Sequence, residues 1–150
     1  MKRRDFHTSI AAGIPPAEAL ARISRVSERW TKGFTGRSQQ PGGTFTVRFG
    51  ETFVDFEVAG VVADRKIVWH VTDCNLHWLK DKKEWNDTKV VWDVSPGDKA
   101  TTISMTHEGL VPEVECYGTC QAGWTFYVEK SLFKFLTENE GLPDVRRGSE

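Results

Sequence analysis

From Thr44 onwards the chain alternates apolar and polar residues with a period of two. Phe45, Val47 and Phe49 alternate with Thr44, Thr46 and Arg48, and beyond Gly50-Glu51 the residues Val54, Phe56 and Val58 alternate with Phe53, Asp55 and Glu57. Successive side chains of a strand point to opposite faces, so each run predicts a strand with one buried face, and the pair around Gly50-Glu51 predicts a hairpin. The alternation returns at Ile67, Trp69 and Val71, at Val90, Trp92 and Val94, and at Ile103 and Met105, with turn residues at Asp64-Arg-Lys66 and Ser95-Pro-Gly-Asp98. Ahead of these, Phe6, Thr8 and Ile10 predict an opening strand, and Pro16 to Ile23 a short helix with proline in its first turn. Val26, Trp30 and Phe34, at i, i+4 and i+8, predict a second short helical face, followed by a glycine-rich loop at Gly36 and Pro41-Gly42-Gly43.

Beyond Pro112 the period changes. Tyr117, Cys120, Trp124, Tyr127, Ser131 or Leu132, and Phe135 recur at spacings of three and four, which predicts one long amphipathic helix running to about Asn139 and stopped by Gly141 and Pro143. Glu113 and Glu115 fall in its expected first turn, where carboxylates complement the helix dipole. An antiparallel sheet with one apolar face must cover that face, and this helix is the only element long enough to do so. The expected architecture is therefore α+β: about seven antiparallel strands curved around a C-terminal helix, with two short helices after the first strand, in a single domain spanning 1–150.

Composition adds one unusual feature, six Trp and nine Phe against two Tyr, a large apolar mass for 150 residues. The net charge of -1 offers no footprint for nucleic acid or an anionic membrane, and no apolar run is long enough to predict a membrane span. Cys74, Cys116 and Cys120 form neither an even disulfide framework nor a CxxC pattern, which suits a reducing, cytoplasmic setting. Met1-Lys-Arg-Arg-Asp-Phe6 superficially resembles a twin-arginine export start, but Glu18 interrupts before any sustained apolar stretch, so no export is expected. The Arg146-Arg-Gly-Ser-Glu150 tail is expected to fray.

Candidate chemistry centres on the inward positions. Trp69 and Trp92 on strands and Trp124 on the helical stripe, with Phe45, Phe56, Met105, Tyr117 and Tyr127, either fill a core or line an apolar cavity. Trp30 lies on a helix that could cap that space. His107 is in phase with Ile103 and Met105, so it points inward at a strand end. There it is placed to act as a general base, to hydrogen-bond a ligand, or to tie down the Glu108-Gly109 loop. His70 falls opposite Trp69 and is expected in solvent, as are Asp55, Glu57 and Asp93, while the register of His77 is open. Cys116 and Cys120 share a helix face, but a zinc site would need Cys74 and His107 as well, and buried free cysteines behave as small hydrophobes, so no metal is expected. Trp78 and Trp85 flank the Lys80-Asp-Lys-Lys-Glu84 charge run, expected as a solvated hairpin tip or as a rim that contacts a partner.

The element order, taken with Phe6-His-Thr-Ser-Ile10, Lys66-Ile-Val-Trp69, Thr101-Thr-Ile-Ser-Met-Thr-His-Glu-Gly-Leu-Val-Pro112 and Gly123-Trp-Thr-Phe-Tyr127 before Ser131-Leu132, resembles the START-like or SRPBCC superfamily. Within it the branch called activator of Hsp90 ATPase homologue 1-like matches best, over about residues 5 to 140. The resemblance implies a helix-grip fold with a cavity between sheet and C-terminal helix that commonly receives a hydrophobic small molecule. The function expected on that basis is non-catalytic binding of a small hydrophobic or aromatic ligand by Phe45, Phe56, Trp69, Trp92, Met105, His107, Tyr117, Trp124 and Tyr127, with no cofactor. Two alternatives stand beside it: a chaperone-associated or other protein-interaction module using Trp78 and Trp85, and a cyclase or hydratase using His107 with an acid such as Glu108. The Hsp90 activator itself carries a further N-terminal domain for which this chain has no room, which sets expectation against a direct Hsp90 role.

Overall fold

The computed structural model of the chain describes residues 5–143, so the Met1–Arg4 start and the Arg146–Glu150 tail lie outside the described residues. Seven strands form one antiparallel sheet: β1 (Phe6–Ala12), β2 (Phe34–Gly36), β3 (Thr44–Phe49), β4 (Thr52–Val62), β5 (Lys66–Asn75), β6 (Lys89–Pro96) and β7 (Thr101–Glu108). Their order is β1-β7-β6-β5-β4-β3-β2, so apart from β1, which closes onto β7, each strand pairs with its neighbour in sequence. Gly50 and Glu51 make the tight β3–β4 turn between Phe49 and Thr52, and the turn takes a positive φ at Gly50 (64°), where glycine carries no steric cost. The β4–β5 register shifts twice, with Thr72 of β5 extra at Asp55/Phe56 and Ala59 of β4 extra at Val58/Gly60, irregularities of the kind that bend a strand and increase its twist.

Two short helices follow β1: α1 (Pro16–Ile23) and α2 (Val26–Arg29). The second is shorter than the Val26–Trp30–Phe34 spacing predicts. Phe34 instead opens β2, and at Gly36 a Cβ would come within 2.3 Å of the Thr44 carbonyl oxygen, so the close approach of this edge strand requires glycine.

The C-terminal helix runs as α3 (Tyr117–Phe126), a π-helical segment (Tyr127–Leu132) and α4 (Phe133–Glu138), ending at Asn139 in the left-handed region. Its start differs from the expected one after Pro112. Residues 112–116 form turns, so Glu113 and Glu115 precede the helix instead of occupying its first turn. The π-helical segment explains why the apolar stripe admitted either Ser131 or Leu132: the wider turn buries both. Ser131 uses its position there, its hydroxyl donating to the Arg29 carbonyl (2.5 Å) and accepting from the Leu142 N–H (2.8 Å), which ties helix, α2 and the chain beyond together. The inward faces of sheet and helix share one core that includes Phe45, Phe56, Trp69, Trp92, Met105, Trp124 and Leu132.

Candidate functional site

The β5–β6 connection builds one wall of the site. The charge run within it lies in solvent, with Lys80, Asp81, Lys82 and Lys83 exposed and Glu84 half-buried, while the apolar residues around it turn inward. Leu76, Leu79 and Trp85 are buried, and of the two flanking tryptophans only Trp78 is exposed. Two carboxylates hold the connection against the start of α3. Glu84 accepts from the backbone N–H groups of Glu115 and Cys116 (both 2.9 Å), satisfying donors at the helix start. Glu115 in return accepts from the N–H groups of Lys80 and Asp81 (3.1 and 3.3 Å), which hold its carboxyl below the usual range. Thr52 on β4 accepts from the His77 N–H (3.2 Å), pinning the other side of the connection to the sheet.

Between this connection, the β3–β4 hairpin and α3 lies a cavity of about 100 Å³. Phe49, Thr52 and Val54 come from the hairpin, Leu76, Trp78 and Trp85 from the connection, Thr119, Cys120, Gly123, Trp124 and Tyr127 from the helix, and Trp30 closes the inner end. The walls are almost wholly apolar. Half-buried Phe49, Thr52 and Thr119 and exposed Trp78 form its more accessible side. A dry apolar cavity of roughly 150 Å³ holds benzene, whereas drug-sized ligands use roughly 300–1,000 Å³, so this smaller space, open on the Phe49–Trp78 side, suits a short alkyl group or a single ring that is only partly enclosed.

Of the nine expected ligand-binding residues, Trp124 and Tyr127 line this cavity. Phe45, Phe56, Trp69 and Trp92 pack on one another, with ring centroids 4.9 Å apart for Phe45–Phe56, 5.0 Å for Phe45–Trp69 and 5.5 Å for Trp69–Trp92. Met105 is fully buried beside Trp92 in the β6–β7 register, and Tyr117 is half-buried at the start of α3. Strand alternation placed the strand side chains inward correctly. It carries no information on whether an inward ring meets another ring or empty space. Leu76 and Trp85 escape a reading of periodicity because the β5–β6 connection has no period of its own, and Phe49 on β3 and Gly123 on α3 border an open space only because that connection leaves one beside them.

His107 points inward as its phase predicts, but away from the cavity. Its Nδ1 accepts from the Trp124 indole N–H (3.0 Å), and its Nε2 lies 2.9 Å from the Thr88 hydroxyl, which itself donates to the Trp85 carbonyl (2.6 Å). One tautomer satisfies all three bonds: a neutral ring protonated on Nε2. Burial pushes the His107 pKa down to about 3, consistent with a ring that stays neutral. Both nitrogens are thus engaged in fixing Trp85 and Trp124, whose rings stack 6.0 Å apart on the cavity wall.

The other candidates are dispersed. His70 is half-buried beside Asp87, and exposed His77 pairs with Glu51. Cys116 accepts from the Trp85 indole N–H (3.3 Å), while the Cys116 thiol and burial together hold the Cys120 thiol well above its ordinary range. Cys74 lies apart, near the Asn86 side chain and the Lys82 carbonyl, and burial raises its pKa. Among the described residues no cluster of three or more His, Cys, Asp or Glu is placed to hold a metal ion, and no helix is long and apolar enough to cross a membrane.

The curved sheet gripping a long C-terminal helix, with two short helices after β1, is the helix-grip fold. The Aha1 dimer from Colwellia psychrerythraea, solved in solution, has this fold with a TM-score of 0.75 at 17% identity, covering 92% of this chain and 99% of that one. Protein MLL2253 from Mesorhizobium loti aligns with a TM-score of 0.71 at 19% identity over 93% of this chain and 100% of its own. DynU16, a putative protein in the dynemicin biosynthetic locus, aligns with a TM-score of 0.68 at 18% identity over 91% of this chain but 48% of its own, so the present chain spans about half of it. No family model and no curated protein matches the sequence. At these identities the likeness concerns the fold, which is the one the sequence resemblance implies; activities vary widely on a shared fold.

Proposed function

We propose that this protein binds a small apolar molecule, of the size of one aromatic ring, in the cavity between α3, the β3–β4 hairpin and the β5–β6 connection, without catalysing a reaction on it. The observation that carries the reading is the cavity itself: about 100 Å³, walled by Phe49, Val54, Leu76, Trp85, Trp124 and Tyr127 and bordered by exposed Trp78. Removing ligand surface from water against such walls contributes roughly 25 cal/mol per Å². The whole described chain acts as one START-like domain in this reading, and its three free thiols suit the cytoplasm.

The cyclase or hydratase alternative has less support, since the His107 nitrogens are committed to Trp124 and Thr88. A protein-partner role would draw on Trp78 alone of the two tryptophans first considered, because Trp85 is buried. The test is a toluene titration followed by amide NMR. Shifts concentrated at Thr119, Cys120 and Gly123 and at the Trp78 and Trp85 indoles are expected. Shifts elsewhere, or none, would overturn the reading.

A further inference from the structure

Arg29 is fully buried, an unusual place for a guanidinium. Its Nε and one terminal nitrogen donate to the Ile23 carbonyl (3.0 and 2.7 Å), while the other terminal nitrogen has no hydrogen-bond partner among the described residues. No carboxylate among the described residues pairs with it. The guanidinium lies instead over two indoles, 4.8 Å from the Trp92 ring centroid and 5.8 Å from that of Trp69. The indole nitrogens of these same two tryptophans are buried and equally unpartnered. Three unsatisfied donors and one unpaired positive charge therefore fall within one cluster, whose nearest named acceptor, the Ile23 carbonyl, is already used.

Such a cluster selects for a ligand group that only accepts hydrogen bonds and is negative. A carboxylate meets both conditions: it accepts from several donors at once and brings no hydrogen to face the cation. An amide or a hydroxyl brings a donor and leaves the charge uncompensated. The cluster also lies next to the apolar cavity. Trp30 and Trp124 both line the cavity, and on their other sides Trp30 stacks parallel to Trp69 at 6.4 Å while Trp124 meets Trp92 at 6.3 Å. Trp30, at the C-cap of the four-residue helix that carries Arg29, thus stands between the cavity and the cluster, whose three side chains are fully buried.

We propose that Arg29 and the indole N–H groups of Trp69 and Trp92 form a receptor for the carboxylate of a small aromatic acid whose ring occupies the apolar cavity. The inference rests on the binding function proposed above and names its ligand class. Binding turns the Trp30 indole aside, so that the ring stays in the cavity while the carboxylate reaches the cluster in the room the indole leaves.

The test compares benzoate, benzamide and toluene at neutral pH, reading affinity from tryptophan fluorescence and the site from the indole N–H signals in NMR. Benzoate should bind at least about ten-fold more tightly than benzamide and shift the Trp69 and Trp92 indole signals. Trp69→Phe and Trp92→Phe each keep a ring but remove a donor, and should weaken benzoate several-fold while leaving toluene unchanged. Arg29→Met should bring benzoate down to the level of benzamide; if that variant does not fold, the two Phe variants and the indole shifts decide the matter. Benzoate binding no tighter than benzamide, or indole signals that stay in place, would overturn the proposal. Toluene binding that persists in that case leaves the apolar-ligand reading standing. Benzoate preference with moving indoles but no toluene binding would keep the carboxylate receptor and remove the apolar reading.

Discussion

Replacing Gly123 with leucine should stabilise the protein and abolish ligand binding at the same time. Gly123 lies inside α3 on the cavity wall, and a Cβ built there would meet no atom within 4 Å. A glycine within a helix costs about 1 kcal/mol relative to alanine, so any ordinary side chain recovers most of that. Burying the leucine side chain in the cavity contributes a further 1.5–3 kcal/mol or so, reduced by about 0.5–1 kcal/mol for its lost rotamer freedom. The net gain is about 2 kcal/mol. For a domain of this size that raises the melting temperature by roughly 4–8 °C. Calorimetry with Gly123→Ala alongside separates the contributions, since alanine restores helix propensity but leaves most of the cavity empty. Toluene should still bind the alanine variant and lose at least about ten-fold in affinity for the leucine one. A leucine variant less stable than the alanine variant would refute the open space at this position. A stabilised leucine variant with unchanged toluene affinity would place the ligand elsewhere.

Three further outcomes follow from the site's geometry. His107 is neutral when folded, with its pKa at about 3 against an ordinary 6.5, so the unfolded chain binds an extra proton between those values. Stability should therefore fall with decreasing pH across that window, by about 1.4 kcal/mol per pH unit from this group, and urea titrations of His107→Gln should show a correspondingly shallower slope. Glu84→Ala strips the acceptor from two N–H groups at the start of α3. It should cost about 1–2 kcal/mol and speed hydrogen exchange at Glu115 and Cys116, and unchanged exchange there would sink the two-carboxylate clamp. Cys74, Cys116 and Cys120 are buried, with Cys74 and Cys120 raised above the ordinary thiol range, so iodoacetamide should label none of them quickly in the folded protein and all three in urea. Fast native labelling of Cys120 would mean that the cavity admits polar reagents.

The strands, their facing and the long helix were legible in the sequence because period two and period 3.6 are local consequences of backbone geometry. Trp69, Trp92, Ile103, Met105 and His107 all face inward as their phase predicts, and Cys120, Trp124 and Tyr127 form the buried stripe of the helix. Periodicity reports which way a side chain points but not how far away its opposite number lies. Only the tertiary structure decided that Phe45, Phe56, Trp69 and Trp92 meet as core while Trp124 and Tyr127 stand at an open space. It also decided the fate of Trp85: the charges around it suggest solvent, but the Glu84 carboxylate accepts from the Glu115 N–H and the Glu115 carboxylate from the Lys80 N–H, bonds across about thirty residues that fold the connection inward. Arg29 is the sharpest case. It sits three residues after Val26 on the same helical face, a spacing that points inward, yet its charge argues for the surface, and only the arrangement of Trp69 and Trp92 beneath it makes burial tolerable. Local pattern set orientation, and non-local hydrogen bonds and ring contacts set what each oriented group met.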